Sequence, residues 1–436
     1  MVAGTSAAES LLERVTCPHC WQKFLPEDVL WVAEHRDLLG DPMLTPADPQ
    51  RFLPTRFNVE GNAIDAKNFS CTRLACPKCH LAIPRAVLEL EPTFISITGA
   101  PASGKSVYLT SMVSELKRLL GTTFALSFSD ADTVSNQILS GYVEQLFGNA
   151  EADDLKPLGS LIRKTVAATT GEMYNNVRFG TQTVAYPKPF LFSVLPNRFH
   201  LNAEKAARLG RVLCLYDNAG EHFQPGEDSS GSPVTRHLAE AAALLFVLDP
   251  TMDGRFRELC QARQELRQTS GRDSYSIPQE PILHEVADRV RRHARLRQSE
   301  RHKRPLIVIL TKYDLWYDLL EVDENTEPWR ELPAKSENGG GPKRYALDIP
   351  RIEAKSDKTR ELLLRISPEI VNAAEGFAEE VLYVPISSLG WATTVNAEGQ
   401  LSIRPADVYP YWVTVPILYA FTRCLPGLVP ALKRRK

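Results

Sequence analysis

The sequence lacks both a long apolar run and a strong excess of charge of either sign. None of its apolar runs approaches the ~20 residues that a helix needs to cross a bilayer, and we expect no secretory signal. The net charge of −2 and the pI near 6.5 lack the basic footprint of proteins that bind nucleic acid. With 43% hydrophobic and 24% charged residues, the composition is instead that of a globular chain with a sizeable core. We therefore expect a cytoplasmic protein without a membrane span, whose main partner is not nucleic acid.

A complete phosphate-loop motif, G-x-x-x-x-G-K-S, spans residues 99–106. An apolar, strand-favouring run, 93–98, precedes the motif, and a helix-compatible run, 107–120, follows it. A strand, a glycine turn and a helix N-terminus together direct backbone N–H groups and the helix dipole at a polyphosphate. Lys105 would reach the β- and γ-phosphates, and the Ser106 hydroxyl would bind Mg²⁺. The other residues of the predicted phosphate site are Gly99, Ala102, Ser103, Gly104 and Val107.

Three further motifs follow strand-like apolar segments later in the chain. The first is D-x-x-G at 217–220, where Asp217 ends a strand and can hold Mg²⁺ through water. Gly220 of the same motif lets its backbone N–H approach a γ-phosphate. The second motif is T-K-Y-D at 311–314, and the third is a short S-S-L segment at 387–389.

In this order, the four motifs resemble those of the Ras-like and translation-factor branch of P-loop GTPases, over residues 93 to about 421. The phosphate loop alone would suit ATPases and kinases equally, and the T-K-Y-D motif makes the resemblance specific. The resemblance implies binding of Mg-GTP and its hydrolysis to GDP and phosphate. It also implies an α/β fold with a mostly parallel Ras-like sheet, helices on both faces and one antiparallel edge strand. Nucleotide would bind at the carboxyl ends of the strands.

Asp314 of the T-K-Y-D motif is the residue whose chemistry favours guanine. Guanine presents N1–H and the 2-amino group to one carboxylate, whereas adenine has an acceptor at N1 and no 2-amino group. A buried carboxylate left unpaired by adenine costs about 1–3 kcal/mol or more, which gives about tenfold discrimination or better. We expect the alkyl stem of Lys312 to cover one face of the base. The predicted base site is completed by Thr311, Ser387 and Ser388, of which the two serines would approach the guanine carbonyl.

The residues after the D-x-x-G glycine depart from the family pattern. Many GTPases carry a Gln at the next position to orient the attacking water, and this sequence has Glu221 there, followed by His222. A carboxylate can accept a hydrogen bond from water, but the γ-phosphate would repel it unless a cation compensates. His222 is the alternative water-positioning residue, although translation factors carry their His where Glu221 stands. We predict Lys105, Glu221 and His222 as catalytic residues and leave open whether hydrolysis is intrinsic.

Two C-P-x-C knuckles predict a structural Zn²⁺ site near the N-terminus, because two such turns supply four thiolates to one tetrahedral ion. The predicted ligands are Cys17, Cys20, Cys76 and Cys79. The gap between the knuckles exceeds the roughly 15–20 residues of the common form. Cys71 is a spare cysteine that could substitute for one of the four ligands. A redox site or a disulfide framework is a weaker alternative, because the first needs a βαβ context and the second an exported protein. We expect the other cysteines to be buried, inert thiols, namely Cys214, Cys260 and Cys424.

The chain divides into a zinc-ribbon-like module over residues 1–91 and a nucleotide domain over 92–436. Three insertions enlarge the nucleotide domain, at about 121–188, 254–304 and 315–380.

The three insertions contain further features. The first contains Thr181 and Thr183, the two candidates for the switch threonine ahead of a strand at 189–194. The second contains a basic run, 289–304, which we interpret as a solvated helix set against acidic neighbours. The third contains a mainly helical run, 357–380.

A zinc module before a Ras-like domain, with the D-N-A-G-E variant at 217–221, resembles the bacterial double-GTPase proteins of conflict or defence systems. In such systems one GTPase typically partners another, which implies a protein partner and favours a second GTPase. Three roles stay open: a GTP-hydrolysing switch, a GTP-gated scaffold with negligible hydrolysis that docks a partner through the zinc module, and a nucleotide-regulated nucleic-acid binder. The acidic pI disfavours the third role. The first two roles differ in whether Glu221, which stands in place of the usual Gln, supports hydrolysis.

Overall fold

The computed structural model describes residues 11–148, 154–161, 173–217, 236–260, 278–320, 327–333 and 343–432. Three predicted site residues lie outside these ranges, namely Gly220, Glu221 and His222. The strands of the N-terminal region are β1 (Val15–Thr16), β2 (Lys23–Phe24), β3 (Leu30–Val32), β4 (Arg51–Phe52), β5 (Ala63–Ile64), β6 (Ser70–Cys71), β7 (Leu74–Ala75) and β8 (Ala82–Ile83). The later strands are β9 (Glu91–Gly99), β10 (Leu126–Asp130), β11 (Lys156–Pro157), β12 (Tyr174–Phe179), β13 (Gln182–Pro187), β14 (Phe190–Pro196), β15 (Arg211–Asp217), β16 (Ala243–Leu248), β17 (Leu306–Leu310), β18 (Trp329–Glu331), β19 (Tyr345–Asp348), β20 (Val381–Pro385), β21 (Thr393–Val395), β22 (Leu401–Ile403) and β23 (Ala431–Leu432).

Helices connect these strands throughout the described ranges. The α-helices are Ala86–Glu89, Lys105–Thr123, Gln137–Phe147, Leu158–Leu161, Ala206–Leu209, Arg236–Glu240, Gly254–Leu259, Gln279–Ala294, Ile349–Ile366, Pro368–Phe377 and Val415–Cys424. The short 3-10 helices are Pro26–Asp28, Ala203–Lys205, Pro250–Met252, Tyr313–Leu315, Tyr317–Leu319 and Pro405–Asp407. None of the helices in the described part of the chain combines the length and apolar character that spanning a membrane requires.

A seven-stranded sheet forms the centre of the protein, in the order β10-β14-β15-β9-β16-β17-β20. The five strands from β15 to β20 in this order are parallel to one another. Inner strands such as Leu306–Leu310 are apolar at every position, because both of their faces are covered. The predicted mixed α/β architecture with a mostly parallel sheet is confirmed.

The antiparallel strand lies one place inside the edge, so the prediction of an antiparallel edge strand is wrong. β14 runs antiparallel to β15, and β10 lies outside β14 and runs antiparallel to it. β10 comes from the region that we predicted as the first insertion. Only Phe124 and Ala125 separate it from the preceding helix, so the chain turns back at once onto β14. Pairing with β10 satisfies backbone groups of β14 that an open edge would expose.

One face of the sheet packs against the helix that follows the phosphate loop. Ile97 of β9 and Leu213 of β15 lie in one buried cluster with Met112 of that helix and Ile417 of the last described helix. The periodic apolar face of Lys105–Thr123 therefore anchors the phosphate loop to the sheet.

The other face of the sheet is covered by two different groups of elements. The N-terminal module, residues 11–90, covers β14, β15 and β9, and its Cys17 and Trp21 share a buried cluster with Phe94 and Tyr216. Helices of the second and third predicted insertions cover β16 and β17 through a separate cluster, which contains Phe246. One buried cluster thus contains residues from both sides of the predicted domain boundary near residue 91.

The two later insertions contribute core helices and correct two expectations. The basic run is not one solvated helix, because the helix Gln279–Ala294 ends where Arg295 adopts a left-handed conformation with φ 56°. Arg289 is buried in that helix and its Nε donates to Glu285 over 2.6 Å. The predicted helical run at 357–380 consists of two helices, the first of which already begins at Ile349. Both helices are amphipathic and bury their apolar faces.

The cysteines outside the knuckles are only partly as expected. Cys214 is fully buried on β15, and burial raises the pKa of its thiol, as befits an inert core residue. Cys260 and Cys424 are half-buried, so the expectation of buried thiols is wrong for these two. Burial raises the pKa of Cys424 to about 11, which keeps this thiol protonated at neutral pH.

Candidate nucleotide site and metal centre

The phosphate loop follows β9 and its two outer glycines occupy conformations that other residues rarely adopt. Gly99 has φ 143°, and a Cβ atom there would lie 2.2 Å from the carbonyl oxygen of Val247 on the neighbouring strand. Gly104 has φ 94° and precedes the first residue of the helix Lys105–Thr123. Ala102 also lies in the left-handed region, with φ 61°. The backbone therefore forms a tight turn that ends at a helix N-terminus, as an anion site requires.

Lys105 lies across the inside of this turn. Its side chain is buried, and Nζ donates to the carbonyl oxygens of Gly99 at 3.0 Å and Ala100 at 2.7 Å. These bonds hold the ammonium group in the loop, where a phosphate oxygen could replace a carbonyl as its acceptor. Ser103 is fully buried beside it, and Val107 is half-buried at the start of the helix.

The two predicted magnesium ligands meet although 111 positions separate them in sequence. The Ser106 hydroxyl donates to the carboxylate of Asp217 over 3.0 Å. Asp217 is the last residue of β15, which is the parallel neighbour of β9. Because both strands end at the same edge of the sheet, the phosphate loop and this carboxylate come together there. A hydroxyl and a carboxylate are oxygen ligands of the kind that Mg²⁺ prefers.

The T-K-Y-D motif follows β17 and contacts the phosphate loop directly. The Thr311 hydroxyl donates to the carbonyl oxygen of Ser103 over 3.0 Å, and the Thr311 N–H donates to Leu248 over 2.9 Å. Lys312 has φ 57°, a left-handed conformation that turns the chain at the strand end. The structure therefore brings the first residue of the T-K-Y-D motif into contact with the phosphate loop.

Asp314 and Ser387 form a second contact between distant motifs. Asp314 is 6% exposed and accepts a hydrogen bond from the Ser387 hydroxyl over 2.6 Å. Ser387 in turn exchanges backbone hydrogen bonds with Tyr411, at 3.1 and 2.7 Å. Ser388 is half-buried next to it. A carboxylate in this position, oriented by a hydroxyl, can accept two hydrogen bonds from a guanine edge.

Asp249 is a residue of this site that sequence reasoning missed. It follows β16, is 1% exposed, and forms an ion pair with Lys312, whose Nζ lies 2.6 Å from its carboxylate. It also accepts hydrogen bonds from the N–H and the hydroxyl of Thr251, at 2.9 and 2.6 Å. A signal was present in the sequence, since Asp249 stands at a strand end just as Asp217 does.

Two aromatic side chains near the base motif were also missed. Trp391 is 46% exposed and its ring lies edge-on to Tyr317, with the centroids 5.8 Å apart. Trp391 follows Gly390, whose carbonyl oxygen accepts from the Ser387 hydroxyl at 3.3 Å. This pair, in which Trp391 is exposed and Tyr317 is half-buried, lies close in sequence to both Asp314 and Ser387.

The switch threonine stays a prediction. Thr181 and Thr183 are exposed; Thr181 lies in the turn of the β12–β13 hairpin, and Thr183 lies on β13 opposite Arg178. The hairpin packs on the N-terminal module through Val177 and Tyr186. The strand that we predicted at 189–194 is β14.

The four predicted zinc ligands form one compact, buried group. Their sulfur atoms all lie within 4.8 Å of one another, and the pairs Cys17–Cys79 and Cys20–Cys76 are each 3.8 Å apart. Tetrahedral Zn²⁺ with Zn–S bonds of about 2.3 Å requires sulfur separations of about 3.8 Å, so the residues fit this ion. Burial raises the pKa of Cys17, so its proton would have to leave when the metal binds.

The two knuckles share one backbone geometry. In each, the N–H two residues after the first cysteine donates to its sulfur over 3.3 Å, from His19 and Lys78. The residues after the second cysteines, Trp21 and His80, are both left-handed, with φ 57° and 60°. Cys71 is not part of the group, because its sulfur faces Asp65 at 3.9 Å.

The chain is similar to several known proteins. Residues 193–347 match a protein-family model described as Double-GTPase 2. The chain is 25% identical, over 426 residues, to the proposed ESX-1 scaffolding and assembly protein SaeC of Mycolicibacterium smegmatis, covering 91% of this chain and 98% of that protein. The crystal structure of ttk003000868 from Thermus thermophilus is 12% identical, with a TM-score of 0.26. That similarity covers 77% of this chain and only 40% of the other, and it is too weak to establish a common fold. The resemblance to double-GTPase proteins is confirmed by the family model.

Proposed function

We propose that this protein binds Mg-GTP and acts as a nucleotide-dependent switch. The observation that carries the proposal is that described residues from four motifs meet at one edge of the sheet, where Thr311 contacts the phosphate loop and Ser106 contacts Asp217. The match to a double-GTPase family model supports the same conclusion.

The phosphate half of the site would act through charge and backbone donors. Bound Mg²⁺ would offset negative charge on the β- and γ-phosphates. Ser106 and Asp217 would hold that ion, and the Lys105 ammonium would exchange its carbonyl partners for phosphate oxygens. The N–H groups at the start of Lys105–Thr123 would complete the anion site.

The base half of the site would select guanine through Asp314. The hydroxyl of Ser387 orients this carboxylate, and Asp249 holds the ammonium end of Lys312. With its end fixed, the alkyl stem of Lys312 can cover the base without losing much side-chain entropy on binding. Ser388 would approach the guanine carbonyl through its backbone.

The proposal also concerns whether the bound GTP is hydrolysed. We favour a GTPase in which Lys105 stabilises the negative charge on the phosphates and Glu221 or His222 positions the attacking water. A GTP-gated scaffold with negligible hydrolysis is the second candidate, and the similarity to a protein named for scaffolding and assembly favours it. In either role, Cys17, Cys20, Cys76 and Cys79 would hold one structural Zn²⁺. A protein partner, a cytoplasmic location and a place in a bacterial defence system stay predictions.

Direct nucleotide binding and single-turnover hydrolysis test the proposal together. Purified protein should bind GTP with Mg²⁺ more tightly than ATP, and binding of ATP in preference would contradict the assignment of Asp314. Hydrolysis that falls in a Glu221→Gln variant would make the protein a self-sufficient enzyme. Tight binding with negligible hydrolysis would instead support the scaffold.

A further inference from the structure

The first cysteine knuckle lies against the strand that carries Asp217. Along β15, Leu213 and Leu215 belong to the cluster under the phosphate-loop helix, whereas Cys214 and Tyr216 belong to the cluster of the N-terminal module. Successive side chains of a strand point to opposite faces. Tyr216 therefore enters the module from one face while Asp217, the next residue, reaches Ser106 at the strand end.

Two residues of the knuckle region hold the Tyr216 hydroxyl. It donates to the carbonyl oxygen of Pro18 over 2.5 Å and accepts from the Trp21 indole N–H over 3.0 Å. Pro18 lies between the ligands Cys17 and Cys20, and Trp21 follows directly. The phenol is fully buried, so water cannot replace either partner. Any change in the knuckle backbone therefore changes the hydrogen bonds of Tyr216.

His237, which follows the range 218–235 in sequence, lies at the same place. Its ring stacks on Tyr216 with the centroids 4.8 Å apart and 7° between the planes, and it lies 5.9 Å from the ring of Trp21. His237 also bonds to the Ser96 hydroxyl of β9 over 2.8 Å. Tyr216, two residues before position 218, and His237, two residues after position 235, thus both lie beside Trp21.

We propose that Tyr216 couples the zinc site to the nucleotide site, as a positioning residue for Asp217. The inference rests on the proposed function, because it assigns a regulator to the same Mg-nucleotide site. A zinc-bound knuckle holds Pro18 and Trp21 in the arrangement that fixes Tyr216, and Tyr216 fixes the position from which Asp217 holds Mg²⁺. Coupling of two binding equilibria is reciprocal, so Mg-nucleotide must strengthen zinc binding by the factor by which zinc strengthens nucleotide binding.

Zinc release from the full-length, zinc-loaded protein tests this coupling without any measurement of turnover. Competition with a chromogenic chelator at equilibrium would measure how much zinc is released in buffer, with Mg²⁺ alone, and with Mg²⁺ and a non-hydrolysable GTP analogue. We expect the analogue to increase the zinc affinity about fivefold or more, and so to reduce release, within the usual range of coupling between two sites. Zinc removal should weaken analogue binding by the same factor.

Tyr216→Phe is the diagnostic variant, because it keeps the ring and removes only the hydroxyl. Tyr186→Phe is its matched control: Tyr186 packs against Trp21 at 5.7 Å but lies on the hairpin strand β13. The effect of nucleotide on zinc release should vanish in Tyr216→Phe and persist in Tyr186→Phe. Tyr216→Phe should also weaken analogue binding with Mg²⁺ more than without it, whereas general destabilisation would weaken both equally.

Two failures are distinguishable. Binding of the analogue with unchanged zinc release, or with an effect that survives in Tyr216→Phe, overturns the coupling and leaves the nucleotide site intact. Absence of analogue binding in the zinc-loaded wild type overturns the proposed function and the coupling with it.

Discussion

The hydroxyl of Thr311 donates a hydrogen bond to the backbone carbonyl oxygen of Ser103 over 3.0 Å, across 208 positions of sequence. Both residues are buried, and the side chain of Thr311 also lies 3.8 Å from the point where a Cβ on Gly104 would stand. The bond joins the T-K-Y-D motif to the phosphate loop, so it restrains these two segments relative to each other.

Thr311→Val should loosen this connection. The variant keeps the shape of the side chain and leaves the Ser103 carbonyl without this donor, which costs about 1–3 kcal/mol in unfolding free energy. Chemical denaturation would measure the loss. Thr311→Ser keeps the hydroxyl and should lose clearly less, and equal losses in both variants would contradict the role of the bond.

Lys105→Ala should weaken GTP binding by about tenfold to a hundredfold, because a hydrogen bond to a charged group contributes about 1.5–3 kcal/mol. Lys117→Ala on the same helix is the control, since Lys117 forms a surface ion pair with Asp130 at 3.0 Å. Titration with a fluorescent GTP analogue would compare the three proteins. Unchanged affinity in Lys105→Ala would contradict the phosphate-loop assignment.

Asp314→Asn should reduce the preference for GTP over ATP by about tenfold or more, because the amide cannot accept both guanine donors as a carboxylate does. Asp318→Asn is the control, since Asp318 is exposed four residues later. Competition between the two nucleotides would measure the ratio. A ratio that stays at the wild-type value would remove the base-reading role.

Asp249→Asn should weaken GTP binding through Lys312 and not through a contact of its own. If so, the losses in Asp249→Asn and Lys312→Met should not add in the double variant, because both remove the same ion pair. Isothermal titration of GTP into the wild type, the two single variants and the double variant would measure the four affinities that the comparison needs. Fully additive losses would show that Asp249 acts independently of Lys312.

Removal of the knuckle thiols should remove the metal. Wild-type protein should contain about one zinc per chain, and the Cys17→Ser, Cys76→Ser double variant should contain none and unfold at a lower temperature. Cys71→Ser should keep its zinc, because this sulfur faces Asp65 and not the knuckles. Metal analysis that finds zinc in the double variant would refute the ligand set.

The predictable part of the fold follows from local rules. Apolar runs such as Leu306–Leu310 predict buried parallel strands, because such strands are covered on both faces. The edge of the sheet could not be predicted in the same way. β10 reads L-S-F-S-D, a short alternating segment whose strand character depends on finding β14 as a partner.

The candidate site likewise has residues that the sequence predicts and one that only the structure adds. Lys105, Ser106, Asp217 and Asp314 carry motif spacing, and the structure places all four at one edge of the sheet. Asp249 carries no motif and shares only its position at a strand end with Asp217, and its ion pair with Lys312 is what joins it to the candidate site.

The sequence by itself determined which chemical groups are present and which strands and turns present them, because motif spacing and apolar runs act over a few neighbouring residues. Only the tertiary structure decided that the cysteine module covers one face of the nucleotide sheet, and that Tyr216 lies between Pro18 and Trp21. Contacts across nearly two hundred positions depend on how the buried faces of separate elements fit together, and no local pattern encodes that fit.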